Sequence, residues 1–117
     1  NNAIEFCQGT FSEMEDAADG GIYNMIRYFG ERKKILYVHF RNVSNPVPKF
    51  HEEFINTGHV DMHKAMQIYY ETGFDGFFMD DHVPHTHGDT EWGHRGRAFA
   101  NGYIQAMIES VQKQAVK

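Results

Sequence analysis

The chain has 117 residues, 41% of them hydrophobic and 15% aromatic, enough for one modest core. Its formal charge of −5 argues against the basic surface that a nucleic-acid binder needs. No run of about 18 apolar residues is present, so no membrane span is expected. The single cysteine, Cys7, excludes an internal disulfide and suits a reducing compartment, so a cytoplasmic location is expected. The chain opens on Asn1-Asn2 without an initiator methionine and reads as a piece of a longer protein, with no domain boundary inside residues 1–117.

In chain order, Ala3-Ile4-Glu5-Phe6-Cys7-Gln8 reads as a buried strand. Ser12-Glu13-Met14-Glu15 has the pattern of a capping box and predicts a short helical turn. After the break at Asp19-Gly20-Gly21, the spacing of Ile22, Met25, Ile26 and Phe29 predicts a helix, ended by Gly30 and the charges that follow. Ile35-Leu36-Tyr37-Val38-His39-Phe40-Arg41-Asn42 reads as a second buried strand that ends in an imidazole, a guanidinium and an amide. The connection over 42–59 carries Pro46 and Pro48, which exclude a regular helix or central strand, with a turn of helix expected over 50–54. Asp61 caps a helix whose face is Met62, Ala65, Met66 and Tyr69, and Gly73 ends it. A third strand is predicted from Phe74 to about Met79, and a polar loop rich in histidine covers 80–90. A last helix is predicted from Glu91 or Trp92, with Phe99, Tyr103, Ala106, Met107 and Val111 on its apolar face and fraying after Gln112.

Strands alternating with helices give an α/β fold in which right-handed crossovers make the three strands parallel neighbours. Such folds place their chemistry at the C-terminal ends of the strands. Those ends carry Cys7, His39 and Asp81. Taken singly, Cys7 reads as a buried thiol and His39 as a core histidine. Asp80-Asp81-His82 after Phe77-Phe78-Met79 is harder to dismiss, because carboxylates at the end of a buried strand need a partner or a metal. Together, a thiolate, an imidazole and a carboxylate suit a divalent transition metal. Two rival readings remain open. One is a zinc site on the loop itself, from His82, His85, His87 and Asp89. The other is a Cys7 nucleophile with His39 as its base. Arg41, two residues past His39, faces the same side of the strand and is a candidate for bidentate binding of a substrate carboxylate, the alternative being an ordinary salt bridge at the strand end. No Gly-x-Gly-x-x-Gly, P-loop or Gly-x-Ser-x-Gly motif is present.

Glu5-Phe6-Cys7-Gln8-Gly9-Thr10, Tyr37-Val38-His39-Phe40-Arg41-Asn42, the Phe50-x-Glu52 element, Val60-Asp61-Met62 and Asp81-His82 resemble the C-terminal part of the D-mannonate dehydratases, from about Ala3 to Ile108. The resemblance implies about three C-terminal βα units of a (β/α)8 TIM barrel of the xylose-isomerase-like type. It implies a lyase of hexuronate catabolism that dehydrates D-mannonate to 2-keto-3-deoxy-D-gluconate with Mn2+ or Fe2+. It further implies that Cys7, His39 and Asp81 are metal ligands, that one more histidine ligand comes from an earlier strand, and that His82 does acid/base work. The expected partner is a small-molecule sugar acid, with a homo-oligomer in the full-length form. The family's tyrosine-rich stretch after the Asp-His pair is replaced here by Thr90-Glu91-Trp92-Gly93-His94-Arg95-Gly96-Arg97-Ala98, so either His85, His94 or another residue substitutes, or this branch uses a different sugar acid, or activity is low. The alternatives are a related metal-dependent sugar isomerase and a barrel fragment that is inactive alone and associates through its strand edges.

Overall fold

The computed structural model describes residues 2–116. Its elements run β1 (Ile4–Cys7), α1 (Gln8–Glu13), a 3₁₀ stretch (Glu15–Gly20), α2 (Gly21–Glu31), β2 (Ile35–His39), α3 (Met62–Glu71), β3 (Phe77–Met79) and α4 (His94–Ala115). The three strands form one parallel sheet in the order β1-β2-β3. The expected α/β class and the parallel arrangement of neighbours both hold.

Alternation along the strands divides the sheet into two faces. Phe6 and Val38, cross-strand partners, are fully buried against the helices with Ile22 and Ile26 of α2, Ala65, Met66 and Tyr69 of α3, and Ile104 of α4. The other face carries Glu5, Cys7, Tyr37, His39, Phe77 and Met79 and is the more open one, with Phe77 and Met79 exposed. The rings of Tyr37 and Phe77 stack there, 5.0 Å apart. Ile4 pairs with Ile35 while Glu5 pairs with Tyr37, so Leu36 is the extra residue of a bulge and is left 60% exposed.

Several boundaries differ from those predicted. Helix α1 starts directly after β1 because Cys7 itself is the N-cap, its sulfur accepting from the Thr10 backbone N–H. Ser12 therefore lies inside α1 and donates to the Gly9 carbonyl at 2.7 Å, so it does not open a capping box. Residues 50–54 form no helical turn; Glu52 instead makes an antiparallel bridge to Val43. The third strand is confined to Phe77–Met79, because Phe74 belongs to the end of α3. The Gly73 N–H bonds to the Tyr70 carbonyl and the Phe74 N–H to the Tyr69 carbonyl, with Gly73 at φ 68° and the Phe74 ring against Tyr69. That is a Schellman ending with its hydrophobic contact. Helix α4 begins at His94 and stays helical to Ala115, past the predicted fraying point.

Asn42 holds the long 43–60 connection in place. Its amide nitrogen donates to the carbonyls of Ile55 (3.1 Å) and Val60 (2.9 Å). Its amide oxygen accepts from the backbone N–H groups of Val43 and Val60, both at 3.1 Å. The side chain is 1% exposed, and a Cβ on Gly58 would sit 2.1 Å from its oxygen. Asn42→Ala is expected to orphan buried backbone groups at both ends of the connection and to destabilise by about 2–4 kcal/mol, measured by denaturant unfolding. Gly58→Ala is expected to destabilise through the same contact.

Candidate metal centre

The register Cys7↔His39 and His39↔Met79 places Cys7 and His39 side by side at the C-terminal end of the sheet, with Asp81 two residues beyond Met79 on the same face. One donor atom from each of Cys7, His39 and Asp81 lies within 4.8 Å of the others, and all three residues are half-buried. Asp81 Oδ2 is 3.6 Å from both Cys7 Sγ and His39 Nδ1. Donors about 2.0–2.3 Å from a shared ion would stand roughly 3 to 4.5 Å apart, so the spacing fits. The mixture of sulfur, imidazole and carboxylate suits a divalent transition metal better than magnesium or calcium. Among the described residues, this is the group of three such donors that converges.

Each donor is oriented by a neighbour. Thr10 Oγ1 donates to the Cys7 sulfur at 3.1 Å. Glu5 Oε1 lies 3.1 Å from His39 Nδ1, and its other oxygen accepts from the Tyr37 hydroxyl at 2.5 Å. That bond holds the Tyr37 hydroxyl above its ordinary pKa. Asp81 Oδ2 accepts from Arg41 Nε at 2.8 Å. Burial alone would push the Asp81 carboxyl up. The charge and backbone N–H of His82, with Arg41 and His39, outweigh it and hold the group below the usual carboxylate range.

Arg41 is engaged by the protein's own carboxylates, the salt-bridged alternative to binding a substrate carboxylate. Its Nη1 donates to both oxygens of Glu52 (2.8 and 3.1 Å), and its Nη2 to Glu13 Oε1 (2.7 Å) and Thr10 Oγ1 (3.4 Å). With Nε on Asp81, each of the three guanidinium nitrogens has a protein acceptor, and the side chain is 7% exposed. Burial disfavours its charge, but the hydrogen bond to Glu13 and the charges of Glu52, Cys7 and Glu13 raise its pKa above the ordinary value, so it is a fixed cation. The close approach is possible because residue 9 is glycine: a Cβ there would fall 2.2 Å from Arg41 Nε.

A cleft of about 450 Å³ opens beside these groups, lined by Glu52, Asp81, His82, His85 and Arg97. The His82 ring lies between two carboxylates, Nδ1 3.6 Å from Glu52 and Nε2 3.6 Å from Asp81. Burial raises the Glu52 pKa against the pull of Arg41 and His82. An apolar cavity of about 480 Å³, lined by Met66, Tyr70, Phe74, Phe77 and Ile108 among others, shares no residue with this cleft.

The loop zinc reading has no support. Asp89 is taken up by the backbone, accepting from the N–H groups of Thr90 (2.8 Å), Arg95 (3.0 Å), Gly96 (3.0 Å) and Thr86 (3.4 Å). It thereby ties the loop to the first turn of α4. Among the histidines of the loop and the α4 N-terminus, His82 and His85 reach the cleft, whereas His94 Nδ1 pairs with Thr90 Oγ1 at 2.7 Å. Gly93 at φ 67° leaves room for the His85 ring, 3.0 Å from where a Cβ would stand. Glu13 and Glu52 escaped the sequence reading as site residues. They lie 28 and 11 positions from Arg41, and no local periodicity links them.

A family model, D-mannonate dehydratase (UxuA), matches residues 1–117. The chain belongs to the D-mannonate dehydratase family. The mannonate dehydratase of Lactococcus lactis subsp. lactis (strain IL1403) is 30% identical over 122 residues, covering 97% of this chain and 33% of the relative. That of Thermotoga maritima is 29% identical over 126 residues, covering 96% and 32%. The crystal structure of mannonate dehydratase from Streptococcus suis serotype 2 matches with a TM-score of 0.87 at 23% identity, over 98% of this chain and 34% of that one. This last likeness speaks for the fold. The chain spans about a third of the length of the curated relatives it matches.

Asp89 gives the loop a pH dependence. Burial would raise its carboxyl, but the backbone N–H groups of Arg95, Gly96, Thr90 and Thr86 lower it well below the usual range. A group with a depressed folded pKa stabilises above its unfolded value and loses that contribution as pH falls. Hydrogen exchange over 82–96 is therefore expected to rise as pH drops below about 4, after correction for intrinsic exchange rates. Asp89→Ala is expected to show the faster exchange already at pH 7. Equal protection in the two proteins at pH 7 would remove this role.

Proposed function

We propose that this chain is the C-terminal part of a metal-dependent sugar-acid dehydratase that converts D-mannonate to 2-keto-3-deoxy-D-gluconate and water. In this reading its strands and helices form three C-terminal βα units of a (β/α)8 barrel of the xylose-isomerase-like type, within a single domain. The observation that carries the proposal is the convergence of Cys7, His39 and Asp81 within 4.8 Å at the strand ends. Membership of the D-mannonate dehydratase family narrows the reaction. The three residues would hold Mn2+ or Fe2+, and an earlier part of the full-length protein would supply a further ligand. A thiolate ligand fits work in the reducing cytoplasm.

When bound, the ion supplies Lewis acidity toward a carboxylate or hydroxyl oxygen of the substrate. Other residues of this chain handle protons and orientation. The C2–H bond of a sugar acid breaks with its electrons left beside the carboxylate, so its proton needs a base. The C3–O bond breaks with its pair on oxygen, so the departing hydroxyl needs an acid to leave as water. The resulting C2–C3 enol tautomerises to the 2-keto product as C3 takes up a proton. His82 is assigned one of these transfers: it lines the cleft, and Glu52 and Asp81 flank its two ring nitrogens. His85, on the same cleft, is the better replacement for the family's missing tyrosine than His94, which is engaged with Thr90.

The test uses the full-length protein. Wild type is expected to carry about one manganese or iron per chain by elemental analysis and to dehydrate D-mannonate. Cys7→Ser and His39→Ala are expected to lose metal and turnover together. His82→Ala is expected to keep the metal while kcat falls roughly 100- to 10,000-fold. If Cys7→Ser and His39→Ala both retain stoichiometric metal, the centre is wrong. An isomeric sugar in place of a keto acid would convert the reading to an isomerase.

A further inference from the structure

A sugar acid's carboxylate favours a cation, and Arg41 is 7% exposed with every guanidinium nitrogen already on a protein acceptor. The cleft has a second guanidinium. Arg97, in the first turns of α4, lines the same cavity as Asp81, His82 and His85. It is fixed at two points: Nε donates to the Trp92 carbonyl at 2.9 Å and Nη1 to Asp80 Oδ2 at 2.8 Å. Asp80 is itself mostly covered, at 13% exposure, so it is a firm anchor. Among the described residues, Nη2 has no acceptor, and the Arg97 side chain is 38% exposed.

We infer that Arg97 is the carboxylate-binding residue of the cleft, a specificity determinant for sugar acids over neutral polyols. The inference deepens the proposed function and rests on its placing substrate in this cleft. A guanidinium held by two contacts, with one nitrogen left free, loses little side-chain freedom when an anion arrives. Charge makes the assignment selective. Glu52 and Asp81 on the same cleft repel an anion, so a carboxylate would settle toward Arg97 and leave the hydroxyl-bearing carbons toward His82 and Asp81. The two residues thus divide the work by accessibility. Arg41 organises the protein's own carboxylates, and Arg97 receives the ligand's.

The experiment is isothermal titration of the metal-loaded full-length protein with D-gluconate and with D-mannitol, an acid and a neutral polyol, alongside D-mannonate turnover. Wild type is expected to prefer gluconate. Arg97→Gln is expected to weaken gluconate about 10- to 100-fold and leave mannitol unchanged, with metal content and circular dichroism as in wild type. Arg97→Lys is expected to recover part of the loss. Asp80→Asn separates binding from structure: it removes the anchor's charge but leaves an amide oxygen that can accept from Nη1, and is expected to keep the preference for gluconate. Arg97→Gln binding gluconate as wild type does would overturn the inference, as would Asp80→Asn reproducing the whole Arg97→Gln loss. A wild type that binds both ligands equally, or neither, overturns it too. If gluconate binding depends on Arg97 but D-mannonate is not dehydrated, the subsite stands and the substrate reading falls. If mannonate is dehydrated and Arg97→Gln leaves both its KM and gluconate binding unchanged, the reverse holds.

Discussion

The arrangement at the strand ends depends on one buried cation. Arg41 joins Glu13 at the end of α1, Glu52 in the long connection and Asp81 after β3, three parts of the chain that share no strand pairing. A guanidinium this covered is costly unless it is paired and hydrogen-bonded, and here all three nitrogens have carboxylate partners. The carboxylates depend on it equally. Without the cation, three acids would face one another across a half-buried space, with a fourth, Glu5, close by on His39. Gly9 makes the arrangement possible, because any side chain there would occupy the volume of the guanidinium. The Gly9-Thr10 pair thus does two jobs: the glycine admits Arg41, and the threonine touches both Arg41 and the Cys7 sulfur.

The same interaction sets the electrostatics of the site. One guanidinium cannot balance Glu5, Glu13, Glu52 and Asp81, so the strand ends retain an excess of negative charge. That excess favours a divalent cation at the donors and disfavours an anion beside them. The fixed hydrogen bond from Arg41 to Asp81 Oδ2 also orients a donor before any ion arrives, which lowers the cost of ordering the group. Glu52 occupies a middle position. It shares Arg41 with the other acids, yet its far side meets His82 and the cleft. Burial raises its pKa, whereas the Asp81 carboxyl is held below the usual range.

The convergence of Cys7, His39 and Asp81 was legible from the sequence for a simple geometric reason. Parallel neighbouring strands bring their C-terminal side chains together whatever the loops do, and short apolar runs mark strands well. Element boundaries were less legible where a side chain had two possible uses. Ser12 has the look of a cap, but Cys7 takes that place because its sulfur already faces the Thr10 N–H. Phe74 has the look of strand, but it closes the end of α3 against Tyr69. The function of Arg41 could not be read from its strand at all. Its position two residues past His39 predicted the correct face. Whether its partners would be a ligand's carboxylate or the protein's own depended on residues 28 and 40 positions away.

The division between the two arginines follows from where the backbone is held. Arg41 leaves the sheet just before Asn42, whose four hydrogen bonds fix the connection behind it, so Arg41 is confined among neighbours that are equally confined. Arg97 stands on α4, whose first turn is tied to the histidine loop by Asp89, a contact made at the surface. A residue in the first setting is suited to holding geometry, because its contacts cannot adjust without moving the sheet. A residue in the second can meet a ligand, since among the described residues one of its nitrogens has no acceptor and the loop beside it is held by hydrogen bonds to a single carboxylate. The strand ends stay constrained by Arg41, while the wall of the cleft, with His85 and Arg97 on it, is tied to the sheet less directly.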